Sequence, residues 1–251
     1  MTMTLTLPLA VDSRGAGGLP VLFAHSFAGD MSHWGATLDH LKPQRRVVAF
    51  DFSGHGNSPG AVGRYSYDEL AKDIRAVADS QELDRFVLVG HSMGAAIAAE
   101  YAALHGTRLK ALVLIDPPLA PGAVPPEQIQ KIHDSLDKDP YAVVEQFWKE
   151  QMFIDSRLEV RARLLAGLRK LPRTAAIELT KENFAVDSSF ALARYPGPKF
   201  AIVTPRNDAA LSLHKVVPGV SHTVVQGTGH WIHLDKPDDF NRALDEFLNQ
   251  V

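Results

Sequence analysis

The chain has 251 residues, 45% hydrophobic and 22% charged, a balance that fits one globular α/β domain with an insertion. A formal net charge of −3 argues against a nucleic-acid partner, and the lack of cysteine excludes disulfides, thiolate catalysis and Cys-ligated metals. The first residues show no basic start followed by an apolar run, and no stretch reaches membrane-spanning length, so the expectation is a cytoplasmic protein with no membrane partner.

In chain order, residues 1–20 carry a Thr/Leu alternation and a Gly-rich turn between short strands. Residues 21–24 read as a buried strand running into the loop His25-Ser26-Phe27-Ala28-Gly29. A helix over 31–41 is closed by Pro43, a strand follows at 46–50, and 67–80 is an amphipathic helix with Leu70, Ile74 and Val77 on one face. Residues 86–89 are four apolar positions typical of a strand covered on both faces, and 109–115 repeat that pattern before Asp116-Pro117-Pro118. The rhythm then breaks. Residues 117–195 begin Pro-rich and continue as helical patterns, among them 127–136, 141–153 and 158–171. Strand–helix alternation resumes with a strand at 199–204, a short helix near 209–217, a strand at 221–225 and a helix over 238–248. This order predicts a mostly parallel sheet with helices on both faces, built from residues 1–116 and 196–251, and a helical cap from 117–195.

Between the strand at 86–89 and an Ala-rich helix lies Gly90-His91-Ser92-Met93-Gly94. A strand that turns sharply into a helix brings two backbones together; glycines at both flanks remove the Cβ atoms that would collide, and Ser92 is held at the apex with its hydroxyl exposed. The helix start behind it supplies free N–H groups for a developing oxyanion.

Together with Asp51-Phe52-Ser53-Gly54-His55-Gly56-Asn57-Ser58 and Gly227-Thr228-Gly229-His230-Trp231, this motif makes the chain resemble the α/β-hydrolase superfamily over nearly its whole length. The resemblance implies a serine nucleophile, Ser92, an acid, and a histidine base, His230, in that chain order. The acid is expected just beyond the strand at 199–204. The family segment there is Gly-x-x-Asp, whereas this chain has Thr204 in the glycine place and Asn207 at the acid offset, so the preferred candidate is Asp208, one residue later; Asp116 is the alternative. The oxyanion hole is expected from the N–H groups of Met93 and Phe27, with Ser26 where the family has glycine. Ser26, Phe147, Trp148 and Trp231 are candidate substrate-binding residues, and His25, Asp51 and His55 are expected to fix loops.

His230 and His233 lack a His-Glu-x-x-His pattern, so neither metal nor cofactor is expected. The expected function is hydrolysis of a small ester or lactone with water, through an acyl-enzyme. Carbon–carbon bond hydrolysis of a ring-fission diketone or perhydrolysis by the same triad are alternatives within the enzyme class, and a non-catalytic ligand-binding protein is an alternative outside it.

Overall fold

The computed structural model describes residues 8–61 and 63–251; the Thr/Leu alternation over residues 1–7 lies outside them. Seven strands form one sheet: β1 (Val11–Arg14), β2 (Val21–Ala24), β3 (Val47–Phe50), β4 (Phe86–His91), β5 (Leu109–Ile115), β6 (Lys199–Val203) and β7 (Val220–Val224). Their order is β1-β3-β2-β4-β5-β6-β7, with β1 antiparallel to β3 and every other pairing parallel.

The strands read as continuous apolar runs because both of their faces are covered. Successive side chains point to opposite faces, and the core divides accordingly. Leu22, Val48, Phe50, Phe86 and Leu88 belong to one apolar cluster, while Val21, Phe23, Val47, Val87 and Val89 belong to the other. The helices are α1 (Gly35–Leu41), α2 (Tyr67–Ser80), α3 (Met93–His105), α4 (Pro126–Leu136), α5 (Pro140–Phe147), α6 (Leu158–Leu168), α7 (Arg173–Ala185), α8 (Ser188–Arg194), α9 (Leu213–Val216), α10 (Ile232–Asp235) and α11 (Pro237–Leu248). Helices α2, α3 and α8 cover the first face through residues such as Ile74, Ile97 and Leu192; α1 and α11 cover the second through Leu38, Phe240 and Leu244. Helix α2 starts where Ser66 Oγ accepts a hydrogen bond from Glu69 N, 3.3 Å, which satisfies one free N–H of its first turn.

The segment between β5 and β6 carries α4 to α8 and no strand among the described residues. Its buried residues Val144, Trp148, Leu164 and Leu168 join the same cluster as the sheet face beneath them. Two expected helices take a different form. The helix expected at 31–41 opens as a 3₁₀ turn, Met31–Trp34, before α1, and that expected at 141–153 ends in a π turn, Trp148–Met152. None of the helices among the described residues is long and apolar enough to cross a membrane.

What this sheet does for function lies at its carboxyl edge. The residues that follow β2, β3, β4, β5 and β6 are His25, Asp51, Ser92, Asp116 and Thr204. Five parallel strands thus deliver five polar residues to one rim, the place where open α/β sheets bind ligands.

Candidate active site

Ser92 sits between β4 and α3 with φ 53° and ψ −118°. That left-handed conformation is costly for a residue with a Cβ and is held by the surrounding packing. A Cβ on Gly90 would lie 2.7 Å from Ala95 Cα, and one on Gly94 would lie 2.6 Å from Ala24 O, so both positions require glycine. Ser92 N donates to Ile115 O at 2.9 Å, tying the apex to the end of β5. Met93 is the first residue of α3, so its N–H has no acceptor within the helix. Ser26, Phe27, Ser92, Met93 and His230 line one cavity.

His230 follows β7 on a loop that three contacts pin. His230 N donates to Met152 O at 3.1 Å, His91 Nε2 donates to His230 O at 3.0 Å, and Gly229 N donates to Asp235 Oδ2 at 3.2 Å. His91 is fully buried, and desolvation holds its pKa well below the usual histidine value, so the ring is neutral with its proton on the donating Nε2. Asp235 also accepts from Ser156 Oγ at 2.7 Å and from Arg157 N at 2.9 Å, which couples this loop to the 117–195 segment.

The partner of His230 is Asp116. His230 Nδ1 lies 2.6 Å from Asp116 Oδ2, and both side chains are buried. Thr204 N and Thr204 Oγ1 donate to Asp116 Oδ1 at 2.8 and 3.0 Å. Asp116 itself is left-handed, φ 39°, and its N–H bonds Ile202 O across the β5–β6 pair. The expectation that Asp208 orients His230 is therefore corrected. Asp208 is half-exposed and bound elsewhere, 3.0 Å from His214 Nε2 and 2.8 Å from Lys215 Nζ, and these bonds hold its carboxyl down at about 2. Asn207, at the offset where an acid was expected, points its Nδ2 to Pro117 O, 2.7 Å. The end of β6 thus contributes a hydroxyl and two N–H donors around the end of β5 instead of a carboxylate.

Ser26 is buried, and its Oγ accepts the Trp231 indole N–H at 3.2 Å. A glycine there would leave that indole without this acceptor. Trp231 packs edge-on to Trp148, ring centroids 5.1 Å apart, and against Phe153 at 5.6 Å. His25 Nδ1 donates to Ser26 O, 2.8 Å, and its Nε2 accepts from Phe52 N, 3.0 Å. Asp51 receives Met31 N at 2.6 Å and Asn57 N at 2.7 Å. His55 Nδ1 donates to Ser53 O at 3.2 Å. These three bind backbone, as loop-fixing residues do.

The cleft has two lobes that meet at Ser92 and His230. One, of about 640 Å³ including its mouth, is walled by apolar side chains, among them Phe27, Phe147, Trp148 and Trp231. Polar groups enter it from Tyr67 and Asn183, whose Oη and Oδ1 are 3.2 Å apart, the tyrosine donating. The other lobe, about 1180 Å³ on the same basis, is more polar and bordered by the 117–124 loop, Gln151, Arg206 and Asn207. All four residues named for substrate binding, Ser26, Phe147, Trp148 and Trp231, line the apolar lobe. Tyr67, Asn183 and Thr204 went unassigned in the sequence; Tyr67 and Asn183 stand in ordinary helical patterns, and only the departure of Thr204 from glycine gave a signal.

A family model described as "Alpha/beta hydrolase family" matches residues 21–243. The acetoin-cleaving-system dihydrolipoyllysine-residue acetyltransferase component of Pseudomonas putida is 27% identical over 254 residues, covering 94% of this chain. The chain spans 65% of that protein's length. An esterase of Escherichia coli is 25% identical, with 92% of this chain and 93% of that protein covered. Among solved structures, an enzyme described as degrading N-acyl homoserine lactones superposes with a TM-score of 0.82 at 24% identity, covering 95% of this chain and 96% of that one.

Proposed function

Because the chain belongs to the alpha/beta hydrolase family, we propose that it cleaves a small carboxylic ester or lactone with water, through an acyl-enzyme on Ser92. The observation that carries this reading is the 2.6 Å bond between His230 Nδ1 and Asp116, which leaves the lone pair on Nε2 for a proton. Ser92 Oγ attacks the carbonyl carbon while its proton passes to His230 Nε2. The N–H groups of Met93 and Phe27 receive the charge that develops on the carbonyl oxygen. As the tetrahedral intermediate collapses, the imidazolium returns its proton to the departing alcohol oxygen. Water, deprotonated by the same nitrogen, then attacks the acyl carbon and frees Ser92 and the acid. Asp116 holds the imidazole in the required tautomer and stabilises its positive charge.

In this reading the 117–195 segment is a cap whose Phe147 and Trp148 give the apolar lobe its wall, and Ser26 and Trp231 complete the wall from the core. That lobe suits an apolar part of the substrate. An esterase among the relatives and a lactone-degrading enzyme among the structural neighbours support the substrate class.

Turnover of p-nitrophenyl esters, with a fluorophosphonate adduct on the wild type and none on Ser92→Ala, is the expected outcome. Turnover of a ring-fission diketone without ester turnover would replace it with carbon–carbon bond hydrolysis. Ligand binding by a folded protein that forms no adduct would make the chain a non-catalytic binding protein.

A further inference from the structure

Three side chains with no part in the chemistry above converge at the β7 edge of the sheet. Asp208 Oδ1 lies 3.0 Å from His214 Nε2 and 3.9 Å from His222 Nε2, and one donor atom from each of the three falls within 4.8 Å of the others. The two imidazoles stack with centroids 4.3 Å apart. Asp208 comes from the β6–α9 loop, His214 from α9 and His222 from β7, so the fold rather than a local repeat brings them together. Lys215 Nζ lies 2.8 Å from the same Asp208 oxygen, so a cation is already drawn to the spot.

Tetrahedral coordination with bonds of about 2.0–2.2 Å separates neighbouring ligand atoms by roughly 3.3–3.6 Å. The two separations from Asp208 straddle that range and the imidazole nitrogens lie within 4.8 Å of each other, so the exposed His222 ring must turn to close the site on an ion. Two imidazole nitrogens and a carboxylate make a donor set for borderline divalent ions, not for magnesium or calcium, which prefer oxygen alone.

We propose that Asp208, His214 and His222 form a binding site for a divalent ion of the zinc class, with water as fourth ligand and the Lys215 ammonium displaced into solvent. The His214 side chain is wholly buried and supplies a fixed anchor, while His222 and Lys215 are partly exposed and give the ion its entry. Among the described residues, His214 Nδ1 has no hydrogen-bond partner. A ligating imidazole without that outer bond loses about 10–100-fold in affinity, so this site binds its ion more weakly than one whose ligands all carry such support. Bound metal ties β7 to the loop that carries Thr204 and Asn207, and so raises thermal stability by linkage.

The test is calorimetric titration of the chelator-treated full chain with zinc chloride at neutral pH, with cobalt(II) absorption as a second readout. The expected result is one ion per chain and a rise in Tm. His222→Gln should weaken binding by about tenfold or more, Lys215→Gln should tighten it by removing the competing ammonium, and Ser92→Ala should leave it unchanged. His222 is half-exposed, so its replacement spares the core, and circular dichroism verifies the fold of each variant. No saturable binding to the wild type would overturn the site. So would binding that survives His222→Gln undiminished, which would assign the ion to other surface histidines.

Discussion

A carboxylate that is 3% exposed, as Asp116 is, survives burial only when its oxygens are hydrogen-bonded. Thr204 supplies two of those bonds and His230 the third. Thr204→Val keeps the backbone donor but removes the hydroxyl, a loss of about 1–2 kcal/mol in the support of the charged acid. We expect kcat to fall roughly tenfold with KM nearly unchanged, and Thr204→Ser to restore it; an unaltered kcat in the valine variant would remove Thr204 from the machinery. Likewise, Trp231→Phe deletes the donor to buried Ser26 and is expected to cost about 1 kcal/mol in urea unfolding. At this scale the placing of Ser92 and His230 on the cleft was legible because each stands in a motif whose backbone demands are written as glycines. The carboxylate that bonds His230 was not legible. Asp116-Pro117-Pro118 looks like any strand end, and spacing along the chain does not say which of two neighbouring parallel strands, β5 or β6, reaches the His230 ring.

At the elbow α3 packs on the end of β2 with room for no side chain at position 94. Gly94→Ala would set a Cβ 2.6 Å from Ala24 O, backbone that has nowhere to move. We expect a loss of about 1–3 kcal/mol or more, seen as a drop in Tm, with activity lost alongside because the β2–α3 gap carries Phe27 and Met93; a variant as stable as the wild type would mean that the gap is wider than described. Sheet and flanking helices were readable because buried parallel strands are apolar runs and α2 has an apolar stripe. The π turn was not. Phe153 N bonds Trp148 O, 2.9 Å, five residues back, and this extra residue lets Trp148 and Phe153 both pack on Trp231. Apolar residues at 147, 148, 152 and 153 fit an α-helix as well as the wider turn, so periodicity carries no sign of it.

Across the whole molecule, acid sensitivity follows from buried imidazoles near the carboxyl edge. Desolvation lowers His25 to about 4 and His55 to about 3, against an ordinary value of 6.5, while burial raises Asp73 to about 6. Below pH 6.5 the unfolded chain takes up protons on these histidines that the folded chain refuses, so stability falls from about 6.5 down to about 3, the His25 share being complete near 4. Asp73 acts with the opposite sign, gaining protons in the folded state between about 6 and 3.8, and offsets part of the loss. Denaturant midpoints measured across that window should decline with falling pH; a flat profile would mean that the imidazoles are wetter than their burial implies. The most direct measurement on the chemistry is the rate of fluorophosphonate labelling of Ser92, followed by intact mass in the wild type, Asp116→Asn and Asp208→Asn. The predicted result is a fall of about 10³–10⁴-fold in the Asp116 variant and a wild-type rate in the Asp208 variant. A wild-type rate in Asp116→Asn, with the loss in Asp208→Asn instead, would contradict the role of the Asp116–His230 bond.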